Sequence, residues 1–375
     1  MKILLLGEYS NVHATLAKGL RQLGHEVTVV SNGDFWKDYP RDIDMSRTYT
    51  KAGGVRFVWR LLRLLPKLRG YDVVQLINPM FLELKASRLK PVYRYLRRHN
   101  RRVFLGAFGM DYYWVSTCCN EKPLRYSDFN IGEELRTNAD ALRERRDWLG
   151  TAKQRLNEAI AADCDGIIAG LYEYDVCYKL HYPQKTQFIP FPIVVGDEPA
   201  ISPTPPEQLR IFIGINRERS EYKGTDIMLR AAQDVKSAYP DRVELRIAEN
   251  VPFEQYVELM NGADAIIDQL YSYTPSMNPL EAMTKGIICI GGGEPENYAI
   301  LNEEELRPIV NVEPTYESVY HELEQLVLHP ERIPVLRKQS WQYVKKHHDY
   351  MKVAQQYERL YKSLPRPLRK EGSHE

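Results

Sequence analysis

Two basic side chains follow an apolar run in the second half of the chain. Residues 209–215 are typical of a buried strand, and Arg217 and Lys223 come after it, just before a helical pattern begins at Thr225. A guanidinium and an ammonium group beside the free N–H groups of a helix N-terminus suit the oxygens of a diphosphate. The alternative is an ordinary solvated loop that happens to be charged.

A second polar segment, residues 271–283, leads into another predicted helix. Ser276 or Asn278 can cap a helix that begins near Pro279, because proline suits the first helical turn. The free N–H groups at that helix end could hold phosphate or sugar oxygens. Glu281 lies about one turn further on, where its carboxylate could accept two hydrogen bonds from a ribose diol. The alternative role for Glu281 is an interaction with the helix dipole.

Three consecutive glycines, residues 291–293, follow the next predicted strand. Glycine has no Cβ, so the backbone here could approach a ligand closely, although a tight turn would explain it too. The first strand of the chain runs into Gly7-Glu8-Tyr9-Ser10, which is not GxGxxG, and the sequence contains no GxxxxGK[ST]. A dinucleotide oxidoreductase and a P-loop NTPase are therefore disfavoured.

Apolar runs alternate with helix-period stretches along the whole chain, which predicts parallel sheets with helices on both faces. A linker at 194–208 with four prolines divides this alternation into two parts. We therefore expect an α/β fold of two doubly wound, Rossmann-like domains, 1–195 and 208–349, facing each other across a cleft. The predicted strands are 3–6, 26–30, 73–77, 103–105, 166–169, 188–190, 209–215, 243–247, 265–268 and 287–290. The main predicted helices are 11–23, 138–162, 225–238, 253–261, 278–285, 316–328, 330–346 and 351–364.

Length and composition exclude several classes of protein. A length of 375 residues exceeds what one core usually serves, and 51 basic against 50 acidic residues argue against a general nucleic-acid binder. No apolar run reaches the roughly 20 residues that span a bilayer, and the apolar N-terminus is short enough to be a strand instead of a signal peptide. The five cysteines show no CxxC spacing, so we expect reduced thiols in a cytoplasmic protein without a zinc site.

Taken together, these features resemble the GT-B glycosyltransferases, and among them the retaining family 4 type. The resemblance covers nearly the whole chain, and its most specific motifs are in the second domain. The matching segments are residues 24–29, 71–74, 162–169, 189–190, 217–224, 262–268, 280–283 and 292–296. It implies transfer of a sugar from a nucleotide-sugar donor to a carbohydrate or lipid-linked acceptor, with surface polysaccharide synthesis as the expected setting.

The resemblance also implies roles for individual residues. Arg217 and Lys223 would contact the donor diphosphate in place of a metal, with Arg219 as an alternative to Arg217 because the loop is slightly longer than usual. Glu281 would bind the ribose, and the loop at Pro252 would lie near the base. No cofactor is implied beyond the nucleotide-sugar co-substrate, and the helix at 350–365 is expected to pack back on the first domain. The remaining residues implied on the donor side are Tyr273, Ser276, Met277, Asn278, Gly292 and Gly293.

Two positions depart from the family pattern. The family usually carries two glutamates separated by seven residues; here Glu281 is the second, but the first position is Tyr273, which leaves the donor sugar open. The usual His-Gly-x-Asp is Phe108-Gly109-Met110-Asp111, so Asp111 remains as a candidate at the cleft edge for acceptor or sugar hydroxyls. His13 is a further cleft candidate, with a helix cap as its alternative role.

Residues 51–102 contain fourteen basic and two acidic side chains, although the whole chain is nearly neutral. A basic amphipathic helix around Trp59 can rest on an anionic membrane, while a sheet-covering helix with a solvated basic side is the more ordinary interpretation. The aromatic segment 111–114, together with 118–129, is predicted to shape the acceptor side of the cleft. Two other functions stay open: a noncatalytic nucleotide- or sugar-binding homologue, suggested by Tyr273 and Phe108, and a sugar-nucleotide epimerase.

Overall fold

The computed structural model describes residues 1–249, 251 and 253–363. A parallel sheet of seven strands forms the centre of the first domain, in the order β3-β2-β1-β4-β5-β8-β9, and β6 and β7 form a small antiparallel hairpin beside it. In the large sheet β1 lies between β2 and β4, so that Leu4 is paired with both Thr28 and Val74. The strands are β1 Lys2–Leu6, β2 Glu26–Ser31, β3 Ile43–Asp44, β4 Val73–Leu76, β5 Val103–Ala107, β6 Asn130–Ile131, β7 Glu134–Leu135, β8 Gly166–Ala169 and β9 Thr186–Phe188.

Helices cover both faces of this sheet, because most of its strand residues are apolar and buried. The helices are α1 Val12–Gln22, α2 Lys51–Leu64, α3 Ala86–His99, α4 Tyr112–Asn120, α5 Ala139–Trp148, α6 Ala152–Asp163 and α7 Tyr172–His181. α2, α3 and α6 share one apolar cluster with one face of the sheet, and α1 packs on the opposite face.

The second domain repeats the plan with five parallel strands in the order β11-β10-β12-β13-β14. Its strands are β10 Leu209–Ile215, β11 Val243–Glu249, β12 Ala265–Ile267, β13 Ile288–Gly291 and β14 Val310–Asn311. The remaining helices are α8 Ser220–Lys223, α9 Thr225–Ala238, α10 Phe253–Met260, α11 Met277–Met283, α12 Pro295–Ile300, α13 Tyr316–Leu328, α14 Arg332–His347 and α15 Tyr350–Ser363. The predicted α/β fold with two Rossmann-like domains is confirmed.

The last helix, α15, leaves the second domain and lies against α1 of the first. Gly19 makes this close approach possible, since a Cβ at this position would come within 2.6 Å of the Cβ of Ala354. His25, in the turn between α1 and β2, contacts Glu358 of α15 at 2.9 Å, and the Tyr361 hydroxyl donates to Gln75 in the sheet. The backbone of Ile193, just before the linker, exchanges hydrogen bonds of 2.7 and 2.9 Å with His348 and Tyr350, so the linker begins beside the start of α15.

One predicted helix differs from the structure. The helix expected over 138–162 is divided into α5 and α6, because Gly150 adopts a left-handed backbone conformation with φ +71° between them. Thr151 then caps α6 by accepting a hydrogen bond from the backbone N–H of Lys153 at 3.2 Å. Within the described part of the chain, no helix is long and apolar enough to span a bilayer. All five cysteines are buried and free.

Candidate active site between the two sheets

The carboxyl ends of the two sheets approach each other, and residues that follow strands in one domain contact those that follow strands in the other. Glu173 stands at the start of α7, directly after β8, and Tyr273 follows β12. One carboxylate oxygen of Glu173 accepts the backbone N–H of Tyr273 at 2.7 Å, and the other accepts the Thr274 hydroxyl at 2.5 Å. The loops at these strand ends therefore form a shared interdomain region.

Three basic side chains follow β10, and they differ in their contacts. Arg217 is exposed and forms an ion pair with Glu249, at the end of the neighbouring strand β11. Arg219 stacks over Tyr222, with its guanidinium 5.1 Å from the ring centroid. The ammonium of Lys223 has no hydrogen bond or ion pair within the described residues. Of the three side chains, that of Lys223 is the one without a hydrogen bond, ion pair or ring contact in the described chain, and it is a cation available to a ligand.

Asp268 is a site residue that sequence analysis did not single out. It lies one residue beyond β12, and its Oδ2 atom is shielded from solvent and has no hydrogen-bond partner in the described chain. Burial raises the pKa of Asp268 to about 6, against the opposing effects of the Lys223 charge and a hydrogen bond from Ser276. A carboxylate oxygen without a partner beside an unpaired lysine is suited to accept a hydrogen bond from a ligand. The signal in the sequence was an acidic residue that ends an apolar strand.

The segment around α11 contributes side chains with different orientations. Ser276 precedes α11 without capping it, and Asn278 donates to the Tyr256 hydroxyl at 2.8 Å. Glu281 is exposed. Burial, together with the charges of carboxylates that include Glu281, raises the pKa of Tyr39 in the first domain to about 12.

Met277 and Pro252 were also expected on the donor side. Met277 packs against an apolar cluster that contains residues of both domains. Pro252, expected near the base, lies outside the described residues.

Packing within the protein leaves no room for a side chain at the two glycines after β13. A Cβ on Gly292 would lie 2.2 Å from the carbonyl oxygen of Ser272, and a Cβ on Gly293 would lie 2.7 Å from the Cγ2 of Ile309. Neither glycine adopts the left-handed conformation. Internal packing therefore accounts for these two glycines, where the sequence suggested close approach of a ligand.

Tyr273 is buried against the first domain and does not face an open cleft. Its hydroxyl accepts a hydrogen bond from the backbone N–H of Arg125 at 2.7 Å. Its ring packs against Tyr126 and Tyr172, with centroid distances of 4.8 and 5.8 Å. The side chain at the position where the resemblance implies a glutamate thus joins the two domains.

The segment between α4 and α5 reaches across to the loop after β13. The Arg125 guanidinium contacts one oxygen of Glu294 and one of Glu296, each at 2.6 Å, and the Tyr126 hydroxyl donates to the other oxygen of Glu294 at 2.5 Å. Further along the same segment, Arg136 donates to two backbone carbonyls of α8. Arg125 and Tyr126 belong to the segment predicted to shape the acceptor side, and the structure places them in contact with the second domain.

His13 and Asp111 do not occupy the exposed cleft positions expected from the sequence. Asp111 is fully buried, where it caps α4 by accepting the Trp114 N–H at 2.9 Å and accepts the Tyr178 hydroxyl at 2.7 Å. Burial raises the pKa of Asp111 to about 6. His13 is also fully buried, and burial lowers its pKa to about 3, so that it is neutral.

Glu8 performs the capping that was an alternative role for His13. Its two carboxylate oxygens accept the backbone N–H groups of His13 at 3.2 Å and Ala14 at 2.8 Å, at the start of α1. Burial raises the pKa of Glu8 to about 8 despite these hydrogen bonds. The first domain therefore keeps a buried carboxyl group at the carboxyl end of β1.

Backbone strain is concentrated in two loops at this edge of the first sheet. Ser10 and Asn11 after β1 have φ values of 51° and 70°, and Asp34 and Phe35 after β2 have 58° and 60°. The Ser10 N–H donates to the Asp34 carboxylate at 2.9 Å, so the two loops support each other. Such conformations cost energy and are frequent at functional sites, which makes these loops the candidate acceptor wall.

Comparisons with known proteins agree with this architecture. Residues 217–359 match a family model described as glycosyl transferase-like. No curated protein matches the chain by sequence. Among solved structures, Anabaena HepE in complex with UDP-glucose has a TM-score of 0.62 at 13% identity, covering 97% of this chain and 100% of that one.

Two further structures show the same overall arrangement. Sucrose-phosphate synthase from Thermosynechococcus elongatus has a TM-score of 0.59 at 12% identity, covering 96% of this chain and 98% of that one. UDP-GlcNAc 2-epimerase from Neisseria meningitidis, bound to UDP-GlcNAc, has a TM-score of 0.52 at 12% identity, covering 96% and 99%. The chain therefore has the GT-B fold, and its resemblance to GT-B glycosyltransferases is confirmed in the overall fold and in the sequence of the second domain.

Proposed function

We propose that the protein is a glycosyltransferase that moves a sugar from a nucleotide-sugar donor to an acceptor hydroxyl. The observation that carries the proposal is the unpaired Lys223 ammonium beside Asp268 and Ser276, at the carboxyl edge of the second sheet of a GT-B fold. In this function Lys223 neutralises the charge that develops on the departing diphosphate, the largest electrostatic demand of the reaction.

The donor is proposed to be a UDP-sugar, because HepE forms complexes with UDP and with UDP-glucose. The exposed Glu281 carboxylate would accept hydrogen bonds from the ribose hydroxyls. Arg217 would exchange its ion pair with Glu249 for a phosphate contact when the donor binds. We further propose a retaining reaction without a bound metal, on a carbohydrate or lipid-linked acceptor in surface polysaccharide synthesis.

Purified protein incubated with UDP-sugars tests the proposal through the release of UDP with and without candidate acceptors. Lys223→Ala should lower the rate of UDP release by at least about a hundredfold, as is common for the loss of one transition-state charge contact. The exposed Lys338 lies on α14 of the same domain, so Lys338→Ala is the matched control. Chelation with EDTA should leave the rate unchanged. Equal rates for Lys223→Ala and the wild type would reject the site assignment.

An epimerase is the second candidate, favoured by the similarity to UDP-GlcNAc 2-epimerase. An epimerase would convert UDP-GlcNAc without an acceptor and without net release of UDP, so analysis of the sugar product separates the two functions. A noncatalytic homologue, suggested by Tyr273 and Phe108, would bind UDP in a calorimetric titration but release none from any donor.

A further inference from the structure

Helix α2 has two different apolar faces. Its inward face consists of Phe57, Leu61 and Leu64, which are buried against the first sheet. Its outward face carries Val55, Trp59 and Leu62, which are 72%, 51% and 60% exposed. Because these three lie four and three residues apart, they form one ridge along the helix. These three side chains do not contribute to the hydrophobic core, so core packing does not account for an apolar ridge on this surface.

Cations surround this ridge. Arg56, Arg63 and Lys67 are exposed on or just beyond α2, and the Arg63 guanidinium lies 3.5 Å from the ring centroid of Trp59. Helix α3 packs beside α2 in the same apolar cluster. The chain just beyond α2 is held next to the end of α3, since the Gly70 N–H donates to the His99 carbonyl at 2.9 Å. The outward face of α3 adds Arg88, Lys90, Arg94 and Arg98.

Most of the positive charge on this surface has no acidic partner. Of the fourteen basic residues in 51–102, Arg60, Arg97 and Arg101 form ion pairs and Arg102 is buried. The other ten are exposed and have no ion pair within the described chain: Lys51, Arg56, Arg63, Lys67, Arg69, Lys85, Arg88, Lys90, Arg94 and Arg98. A net charge of only +1 for the whole chain means that this positive surface is local.

We propose that the α2 ridge and the cations of α2 and α3 form a docking surface for an anionic phospholipid bilayer. Apolar side chains of this kind enter the boundary between headgroups and acyl chains, while the cations meet lipid phosphates. A soluble polyanion would account for the cations alone. The exposed ridge in their midst therefore favours a membrane over a polymer.

The surface is also placed where it could serve the proposed reaction. Because α2 connects β3 to β4 of a parallel sheet, its first turn lies at the carboxyl edge, level with the interdomain region. A docked bilayer would then lie beside the acceptor wall and could present a lipid-linked acceptor. This last consequence rests on the proposed function, whereas membrane binding does not and can be tested by itself.

Cosedimentation with vesicles tests the surface. The full chain should bind vesicles of phosphatidylcholine with about 30% phosphatidylglycerol and should not bind vesicles of phosphatidylcholine alone. Leu62→Ser should weaken binding at least threefold, whereas Leu180→Ser on α7, where the side chain is 54% exposed, should not change it. The double variant Arg88→Glu/Arg94→Glu should weaken binding at least tenfold, since each basic residue near an anionic surface contributes about 1 kcal/mol.

A second charge variant serves as control. Arg332→Glu/Lys338→Glu makes the same charge change on exposed residues of α14 and should bind like the wild type. Equal loss in both double variants would show a general charge effect and overturn the proposal. Dextran sulfate distinguishes a polymer site: if Leu62→Ser binds vesicles like the wild type while Arg88→Glu/Arg94→Glu loses vesicles and dextran sulfate together, the surface binds polyanions and not membranes. Because vesicle binding needs no donor, an inactive protein could still confirm the surface.

Discussion

The backbone N–H of Arg125 in the first domain donates to the hydroxyl of Tyr273 in the second, across 2.7 Å. The same arginine contacts Glu294 and Glu296 through its guanidinium, so one residue holds both loops that follow β12 and β13. The position that resembling enzymes use for a carboxylate has therefore become a point of attachment between domains. A sugar bound at this protein must find its polar partners elsewhere.

Replacement of Tyr273 tests this attachment. Tyr273→Phe leaves the Arg125 N–H without its partner and should lower the free energy of unfolding by about 1 kcal/mol. Tyr273→Glu restores the family's residue, but it buries a carboxylate near Glu173 and Glu294 and should cost about 3 kcal/mol. Urea denaturation measures both. Tyr49→Phe, at an exposed tyrosine, should change stability by less than about 0.5 kcal/mol. A stable Tyr273→Glu with faster transfer would contradict the anchoring role.

Asp268 should affect catalysis through its ionised form. If its vacant Oδ2 accepts a hydrogen bond from the donor, kcat/KM should fall as the pH drops below about 6, where the carboxylate becomes protonated. Asp268→Asn should lower kcat/KM about tenfold or more and remove this acidic limb, as measured by rates between pH 5 and 8. Asp226→Asn, at an exposed position on α9, is the control. An unchanged acidic limb in Asp268→Asn would assign the titration to another group.

Glu8 should make stability depend on pH. Its pKa is raised by burial from 4.5 to about 8, so between these values the folded protein binds a proton that the unfolded chain releases. The contribution of Glu8 is therefore complete below about pH 4.5 and is lost as the pH rises to 8, which amounts to a few kcal/mol. Glu8→Gln cannot titrate. In urea denaturation at pH 5 and 8, the wild type should lose more stability than this variant, and an equal loss in both would refute the prediction.

Gly19 should be sensitive to a single methyl group. A Cβ there would lie 2.6 Å from the Ala354 Cβ and 2.8 Å from the Tyr350 carbonyl oxygen, so Gly19→Ala must displace α15. We expect a loss of about 1–3 kcal/mol in the free energy of unfolding. Gly196→Ala is the control, because a Cβ at that linker position meets no atom within 4 Å. Similar thermal midpoints for the two variants would show that α15 can shift without strain.

Local patterns predicted the regular elements better than they predicted the partners of side chains. Strand β10 and the helices α9 and α13 begin and end where apolar periodicity placed them, because that signal lies within the element itself. The break at Gly150 was missed, since one glycine in a helical pattern is weak evidence for an interruption. Asp111 was expected at the cleft edge from the resemblance, and its buried contact with Tyr178 could not be predicted because the fold alone brings this partner, 67 residues away, close to it.

In the candidate site, too, local patterns identified residues but did not predict the partners of their side chains. Lys223 was identified because basic residues after a strand and before a helix form a local motif. The different directions of Arg217 and Arg219 depend on Glu249 and Tyr222, whose positions come from tertiary packing. Asp268 lies in the matching segment 262–268, but the resemblance assigned it no role, and its candidate role follows from an oxygen that packing leaves without a partner.

The position of α15 has a consequence for how the chain is made. Leu16 and Leu20 of α1 belong to the apolar cluster that α15 completes with Val353 and Tyr357. During synthesis, more than three hundred residues separate the two helices, including the entire second domain. This apolar face of α1 therefore stays uncovered until residues 350–363 have been synthesised and have left the ribosome. We therefore expect chaperones to bind the nascent protein at this apolar face of α1, which stays exposed for most of synthesis.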